Sequence, residues 1–139
     1  MSELVDQEAR TRIAHDLDTT LVVEAAAGTG KTTALVDRIL SLLRSGKATL
    51  RTLVAITFTE KAAGEMKLRL RTEIEKSRSR ATDPTEQERL NEALRQLEAA
   101  HIGTIHAFCA DMLRERPVEA KVDPLFEVAS EDESDRLYD

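Results

Sequence analysis

Tryptophan is absent from these 139 residues, and aromatic side chains make up only 3% of them, so a barrel or sandwich built on ring packing is not expected. The aromatics are Phe58, Phe108, Phe126 and Tyr138, which leaves a helix-rich, aliphatic core as the expectation. Cys109 is the single cysteine, which excludes an internal disulfide. No apolar run approaches the roughly 20 residues that cross a bilayer, and residues 1–10 lack the basic-then-apolar profile of a secretion signal. These absences fit a reducing cytoplasm and no membrane partner. An excess of positive charge is missing too. The formal net charge is -6, which does not advertise nucleic-acid binding. The length suits one domain or part of one.

The charge is unevenly spread. Residues 61–80 hold Lys61, Lys67, Arg69, Arg71, Lys76, Arg78 and Arg80 against Glu65, Glu73 and Glu75. After Phe126 the chain turns acidic, with Glu127, Glu131, Asp132, Glu133, Asp135 and Asp139 against Arg136. A local basic stripe can meet DNA while the tail does not.

What is present is concentrated in Ala25-Ala26-Ala27-Gly28-Thr29-Gly30-Lys31-Thr32. The run Leu21-Val22-Val23 before it is apolar and β-branched, as in a buried strand. Leu35, Ile39 and Leu42 after it recur at helical spacing. Strand, glycine loop and helix are the context a phosphate-binding loop requires. Gly28 and Gly30 let the backbone turn its N–H groups inward and let phosphate oxygens approach. The helix N-terminus adds partial positive charge. Lys31 is expected to reach the β- and γ-phosphates of ATP, and the Thr32 hydroxyl to hold Mg2+, with Thr33 completing the loop set. Ala25 stands where the strict pattern has its first glycine.

The rest reads as alternating strands and helices, hence an α/β fold with a parallel sheet. A helix is expected over 6–17, a strand over 21–24, and a helix over 31–45 ended by Gly46. A second strand covers 53–56. Thr57 and Glu60 have capping-box spacing. The helix that follows carries Ala63, Met66, Leu70 and Ile74 on one face. Residues 77–82 read as a polar joint. Asp83-Pro84-Thr85-Glu86 starts another helix, running to about Ala100 with Leu90, Leu94 and Leu97 inward. A short strand over 102–104 and a helix over 105–114 follow. Pro117 stops that helix, 125–128 reads as a further strand, and a helix begins at Ser130. Cys109, among Phe108, Ala110, Met112 and Leu113, reads as a small core residue. His101, His106 and Cys109 lack a fourth ligand, so a metal site is not expected there.

Two more segments select among phosphate-loop classes: Thr57-Phe58-Thr59-Glu60-Lys61-Ala62-Ala63-Gly64-Glu65-Met66 and Gly103-Thr104-Ile105-His106-Ala107-Phe108. With the loop, they resemble motifs Ia, Ib and I of the UvrD/Rep-like superfamily 1 helicases, in the family's order and spacing. The loop form with Ala25 suits that family. Glu24-Ala25-Ala26-Ala27-Gly28-Thr29 and Asp123-Pro124-Leu125-Phe126 are similar to the RecB/AddA-like branch, the helicase subunits of helicase–nuclease complexes.

The resemblance implies a three-layer, RecA-like phosphate-loop NTPase fold, incomplete here. Residues 1–139 would be the N-terminal part of ATP-binding domain 1A, without the Walker B run, the second RecA-like domain and its arginine fingers, or a nuclease domain. It implies ATP and Mg2+ as cofactors, single-stranded DNA or duplex ends as substrate, 3′ to 5′ movement, and a nuclease–helicase partner subunit. This stretch alone is expected to bind Mg·ATP with little or no hydrolysis. Thr57 and Thr59 would bond phosphates, Phe58 would stack on a base, and Lys61 would add charge. Thr104 and His106 would meet the DNA backbone. Two plainer readings remain: Phe58 as a strand-end core residue, and His106 bonding locally at a helix start. For the adenine-reading Gln of the family, Gln7 is the sole glutamine before the loop; Arg10 is the other occupant of that place. The helix after Pro84 either packs on the domain or touches DNA. A nucleotide-binding or interaction module without motor activity is the rival. A phosphate-loop kinase would want acceptor and lid arginines late in the chain, where Gly103-Thr104-Ile105-His106 and the acidic tail stand instead.

Overall fold

Three helices close the core, and the spacing of their apolar residues explains why. The structure is a computed structural model that describes residues 6–28 and 30–138. Helix α2, Lys31–Ser45, buries Val36, Ile39 and Leu43 on one face. Helix α3, Glu60–Arg80, buries Ala63, Met66, Leu70 and Ile74, the stripe expected from steps of three and four. Helix α4, Pro84–Gln96, adds Leu90 and Ala93. Leu97, in the 3-10 turn Leu97–Ala99, and Leu50 complete the set. Leu50, Leu70, Ile74, Leu90 and Leu97 are fully buried, each contributing roughly 1.5–3 kcal/mol of transfer free energy.

The ends of these helices follow from local chemistry. Gly46 takes φ 74, the left-handed conformation that ends α2, and its N–H reaches the Leu43 carbonyl at 3.2 Å. Asp83 accepts from the Thr85 N–H at 3.1 Å, and Pro84 opens α4. Helix α3 is capped by Thr59, which accepts from the Ala62 N–H at 3.1 Å. The expected capping position, Thr57, is still on the strand, and its hydroxyl lies 3.0 Å from the Thr59 carbonyl and 3.4 Å from that of Gly103.

The sheet is a parallel pair, β1 (Val54–Thr57) and β2 (His101–Thr104), in register from Val54 opposite His101 to Thr57 opposite Thr104. Helix α5, Ile105–Glu115, follows β2 directly, with Ala110 buried. The short α6, Pro117–Ala120, is opened rather than prevented by Pro117. Helix α7, Glu131–Tyr138, begins after Ser130 as expected. The first helix, α1, spans Gln7–His15 and packs on α2.

Several expectations are corrected. Residues 21–24 are not a strand: they join no ladder among the described residues, and Val22 is 91% exposed. An apolar, β-branched run signals a strand only where a neighbour pairs with it, and β1 and β2 pair with each other. Residues 125–128 are not a strand either. Asp123 makes a turn there, its carboxylate accepting from the Leu125 N–H at 2.8 Å and its carbonyl from the Phe126 N–H at 3.0 Å. The donors a ladder needs are spent. Residues 77–80 continue α3, since nothing in Ser77-Arg78-Ser79-Arg80 breaks a helix, and Arg78 reaches Asn91 on α4 at 3.3 Å. Cys109 is exposed rather than core, because α5 turns its Cys109, Met112 and Leu113 side outward. A sheet covered by helices on both faces is not what the described residues form. Ala55 is buried, whereas Val54 and Ile56 are each 45% exposed, so one face of β1 stands open.

Candidate nucleotide and DNA sites

The loop before α2 has the backbone that phosphate binding demands. Gly28 and Gly30 adopt φ 79 and φ 88, a region closed to most L residues. Gly30 is the N-cap of α2 and brings no side chain to it, so the first N–H groups of the helix are left for a ligand. A Cβ added to Gly28 would meet nothing within 4 Å, so the cradle is open. Ala25, Ala26 and Ala27 lead into it and are exposed. Thr29 lies outside the described residues. Lys31, Thr32 and Thr33 are exposed on the first turn of α2, and the Lys31 ammonium makes no hydrogen bond or ion pair among the described residues. An uncapped helix start, a cationic side chain and a hydroxyl fit the phosphates of a nucleotide with its Mg2+. Beside the loop, α1, the segment after it and α2 enclose a cleft of about 560 Å³ with Lys31 on its lining and Leu17, Leu21 and Leu35 among its walls.

Gln7 is exposed on the first turn of α1. An α1 side chain that does reach the loop is Arg10, whose Nη1 lies 3.3 Å from the place a Cβ on Gly30 would take. Arg10 Nε donates to Asp6 at 2.9 Å, which holds the Asp6 carboxyl below its usual value and pushes the guanidinium higher. Two further arginines near the loop carry no sequence signal of their own. Arg38 donates to the carbonyls of Ile13, Asp16 and Thr19 at 2.7, 2.8 and 3.1 Å, pinning the chain that leads from α1 towards the loop. Arg69, on α3, donates to the Thr33 hydroxyl at 3.0 Å.

The two other motif segments begin side by side, because Thr57 and Thr104 are register partners at the carboxyl ends of parallel strands. Ligands of open α/β sheets bind at that edge. Phe58 is 95% exposed, which excludes its reading as a core residue. Lys61 is exposed, 3.9 Å from Glu65. His106 is exposed on the first turn of α5. The threonines have structural duties. Thr59 caps α3. Thr104, only 6% exposed, accepts from the Ala107 N–H at 3.2 Å and donates to Glu60 at 3.1 Å. Much of the basic stripe over 61–80 is also tied down: Lys67 donates to the Glu98 carbonyl, Arg71 pairs with Glu98, and Lys76 pairs with Glu73. The helix after Pro84 packs on the domain, since α4 supplies core residues to α2 and α3.

Among the described residues no three His, Cys, Asp or Glu side chains gather as a metal site, and no helix is long and apolar enough to cross a membrane.

Residues 5–139 match the family model of the UvrD/REP helicase N-terminal domain. The A-type subunit of an ATP-dependent helicase/nuclease from Natranaerobius thermophilus is 43% identical over 113 residues, 80% of this chain and 9% of its own length. The protein of the same description from Syntrophomonas wolfei is 39% identical over 121 residues, 84% of this chain and 9% of its own. That from Ligilactobacillus salivarius is 35% identical over 124 residues, 89% of this chain and 10% of its own. The chain thus spans about a tenth of the length of these curated relatives. With its loop, its paired motif segments and this match over nearly its whole length, the chain belongs to the UvrD/REP helicase N-terminal domain family.

Proposed function

We propose that residues 1–139 are the N-terminal part of the ATP-binding domain 1A of an ATP-driven DNA helicase, carrying motifs I, Ia and Ib of a larger, three-layer RecA-like domain. Support comes chiefly from Gly28 and Gly30, whose left-handed backbone opens the start of α2 directly before Lys31. The loop N–H groups and Lys31 bind the phosphates of ATP. Thr32 holds Mg2+, which offsets phosphate charge when bound. Phe58 offers a ring for stacking on a base of single-stranded DNA, and Lys61 and His106 offer polar contacts beside it. The parent protein moves 3′ to 5′, works in the cytoplasm on duplex ends in DNA repair, and acts with a nuclease–helicase partner, as the description of its relatives fits.

The test is calorimetric titration of the chain with Mg·ATPγS, wild type against Lys31→Ala. Binding by the wild type that Lys31→Ala abolishes is the expected result. A folded wild type that binds nothing, or a Lys31→Ala variant that binds as tightly, overturns the assignment.

A further inference from the structure

The loop motif does not include Arg10, yet Arg10 stands at the loop. Its Nε and Nη2 face Asp6, at 2.9 and 2.7 Å, while Nη1 is the nitrogen turned to Gly30. This placement is electrostatically unfavourable without an anion. The start of α2 carries the positive end of the helix dipole, and the exposed Lys31 ammonium follows Gly30 directly. A second cation there is repelled by both. Asp6 offsets part of that repulsion, but its carboxylate is half exposed and bonds the far side of the guanidinium. A polyanion in the cradle would satisfy the helix start, Lys31 and Arg10 together. Guanidinium is well shaped for this role. With five donors in a fixed fork, it can keep Asp6 on one edge and offer another to phosphate oxygens.

We propose that Arg10 is a nucleotide-binding residue of this chain, carried on α1 and anchored by Asp6, that contacts the phosphate tail of the bound nucleoside triphosphate beside Lys31. The inference rests on the loop being the nucleotide site. It adds α1 to that site and makes the Asp6–Arg10 pair part of it. Arg38 serves the same end from behind, by fixing the carbonyls of Ile13, Asp16 and Thr19 so that α1 keeps its place against α2.

The experiment titrates Mg·ATPγS, and separately Mg2+ with inorganic tripolyphosphate, into wild type, Arg10→Ala, Asp6→Asn and Lys31→Ala, with circular dichroism confirming that each is folded. Charged hydrogen bonds to phosphate predict a loss of about 10–100-fold for both ligands in Arg10→Ala. Asp6→Asn keeps the cation and stays within roughly threefold of wild type. If Arg10→Ala binds both ligands as wild type does while Lys31→Ala binds neither, the loop reading stands and the role of Arg10 is overturned. A loss confined to ATPγS, with tripolyphosphate binding unchanged, places Arg10 on the base or sugar and overturns the phosphate contact. An equal loss in Asp6→Asn means that both residues act only through the packing of α1, which also overturns it. A wild type that binds neither ligand overturns the loop reading and this inference with it.

Discussion

Thr104 donates its hydroxyl proton to Glu60 across 3.1 Å, tying the junction of β2 and α5 to the first turn of α3. The same hydroxyl caps α5 by accepting from the Ala107 N–H. Thr104→Val keeps the volume and loses both bonds, leaving the Ala107 donor without its cap. A stability loss of about 1–3 kcal/mol is expected in urea unfolding, with the denaturant slope unchanged. Thr104→Ser keeps both bonds and should retain most of that stability. A Thr104→Val variant as stable as wild type would show that the site matters only for ligand contact.

Phe58 is the opposite case. At 95% exposure it contributes little to the fold, so Phe58→Ala should leave the unfolding midpoint unchanged. If the ring stacks on a base, affinity for a fluorescent oligo(dT) should fall by about 1–3 kcal/mol, roughly 5–150-fold by anisotropy. Undiminished affinity would remove the ring from the DNA site.

Two glycines should respond to alanine with opposite signs. Gly46 has φ 74, and a Cβ there would sit 2.7 Å from the Arg89 guanidinium carbon. Arg89 also donates to the Arg44 carbonyl at 3.0 Å, so Gly46→Ala disturbs the end of α2 twice. The expected cost is about 1–2 kcal/mol from the left-handed backbone alone. Gly64 lies within α3, and a Cβ there meets nothing within 4 Å. Gly64→Ala should therefore stabilise by about 0.5–1 kcal/mol. Thermal unfolding of the two variants checks both signs.

The start of α7 should be pH-sensitive. The Ser130 backbone N–H and then its hydroxyl donate to Glu133, both at 2.9 Å, holding that carboxyl below its usual value. A carboxyl depressed in the fold stabilises above its unfolded pKa, and that contribution is lost as pH falls through the folded pKa. The first turn of α7 should therefore loosen on acidification, below the range where an ordinary glutamate titrates. A carboxyl-carbon NMR titration should show Glu133 moving up towards the ordinary value in Ser130→Ala. An unchanged midpoint would rule the box out as its cause.

Legibility in the sequence followed the range of the interaction. Helix α2 was readable to its ends, because a glycine loop opens it, apolar spacing runs through it and Gly46 closes it. Asp83-Pro84 marked α4 for the same local reason. Residues 21–24 and 125–128 carried the composition of strands but not their partners, and a ladder is a property of two segments. Thr57 and Thr59 both lie within reach of a helix start, and only the register of β1 decides between them. The loop, Phe58 and Lys61 were visible as motif residues. Arg10 at Gly30, Arg69 at Thr33 and Arg38 on its three carbonyls were not, since each contact joins elements far apart in the chain.

The parallel pairing of β1 with β2 also sets an order of assembly. Parallel neighbours cannot be joined by a tight turn, and here the whole of α3 and α4 lies between them. Leu70, Ile74 and Leu90 seal that helical pair with contacts local in sequence, whereas Val54 meets His101 only after the intervening chain has collapsed. The helical pair therefore acts as the folding nucleus and the sheet as its late product. In stopped-flow refolding, Ile74→Val should slow folding, while Ile102→Ala, on the strand, should chiefly speed unfolding. The loop and the DNA-facing edge inherit that schedule, and the edge comes into existence last.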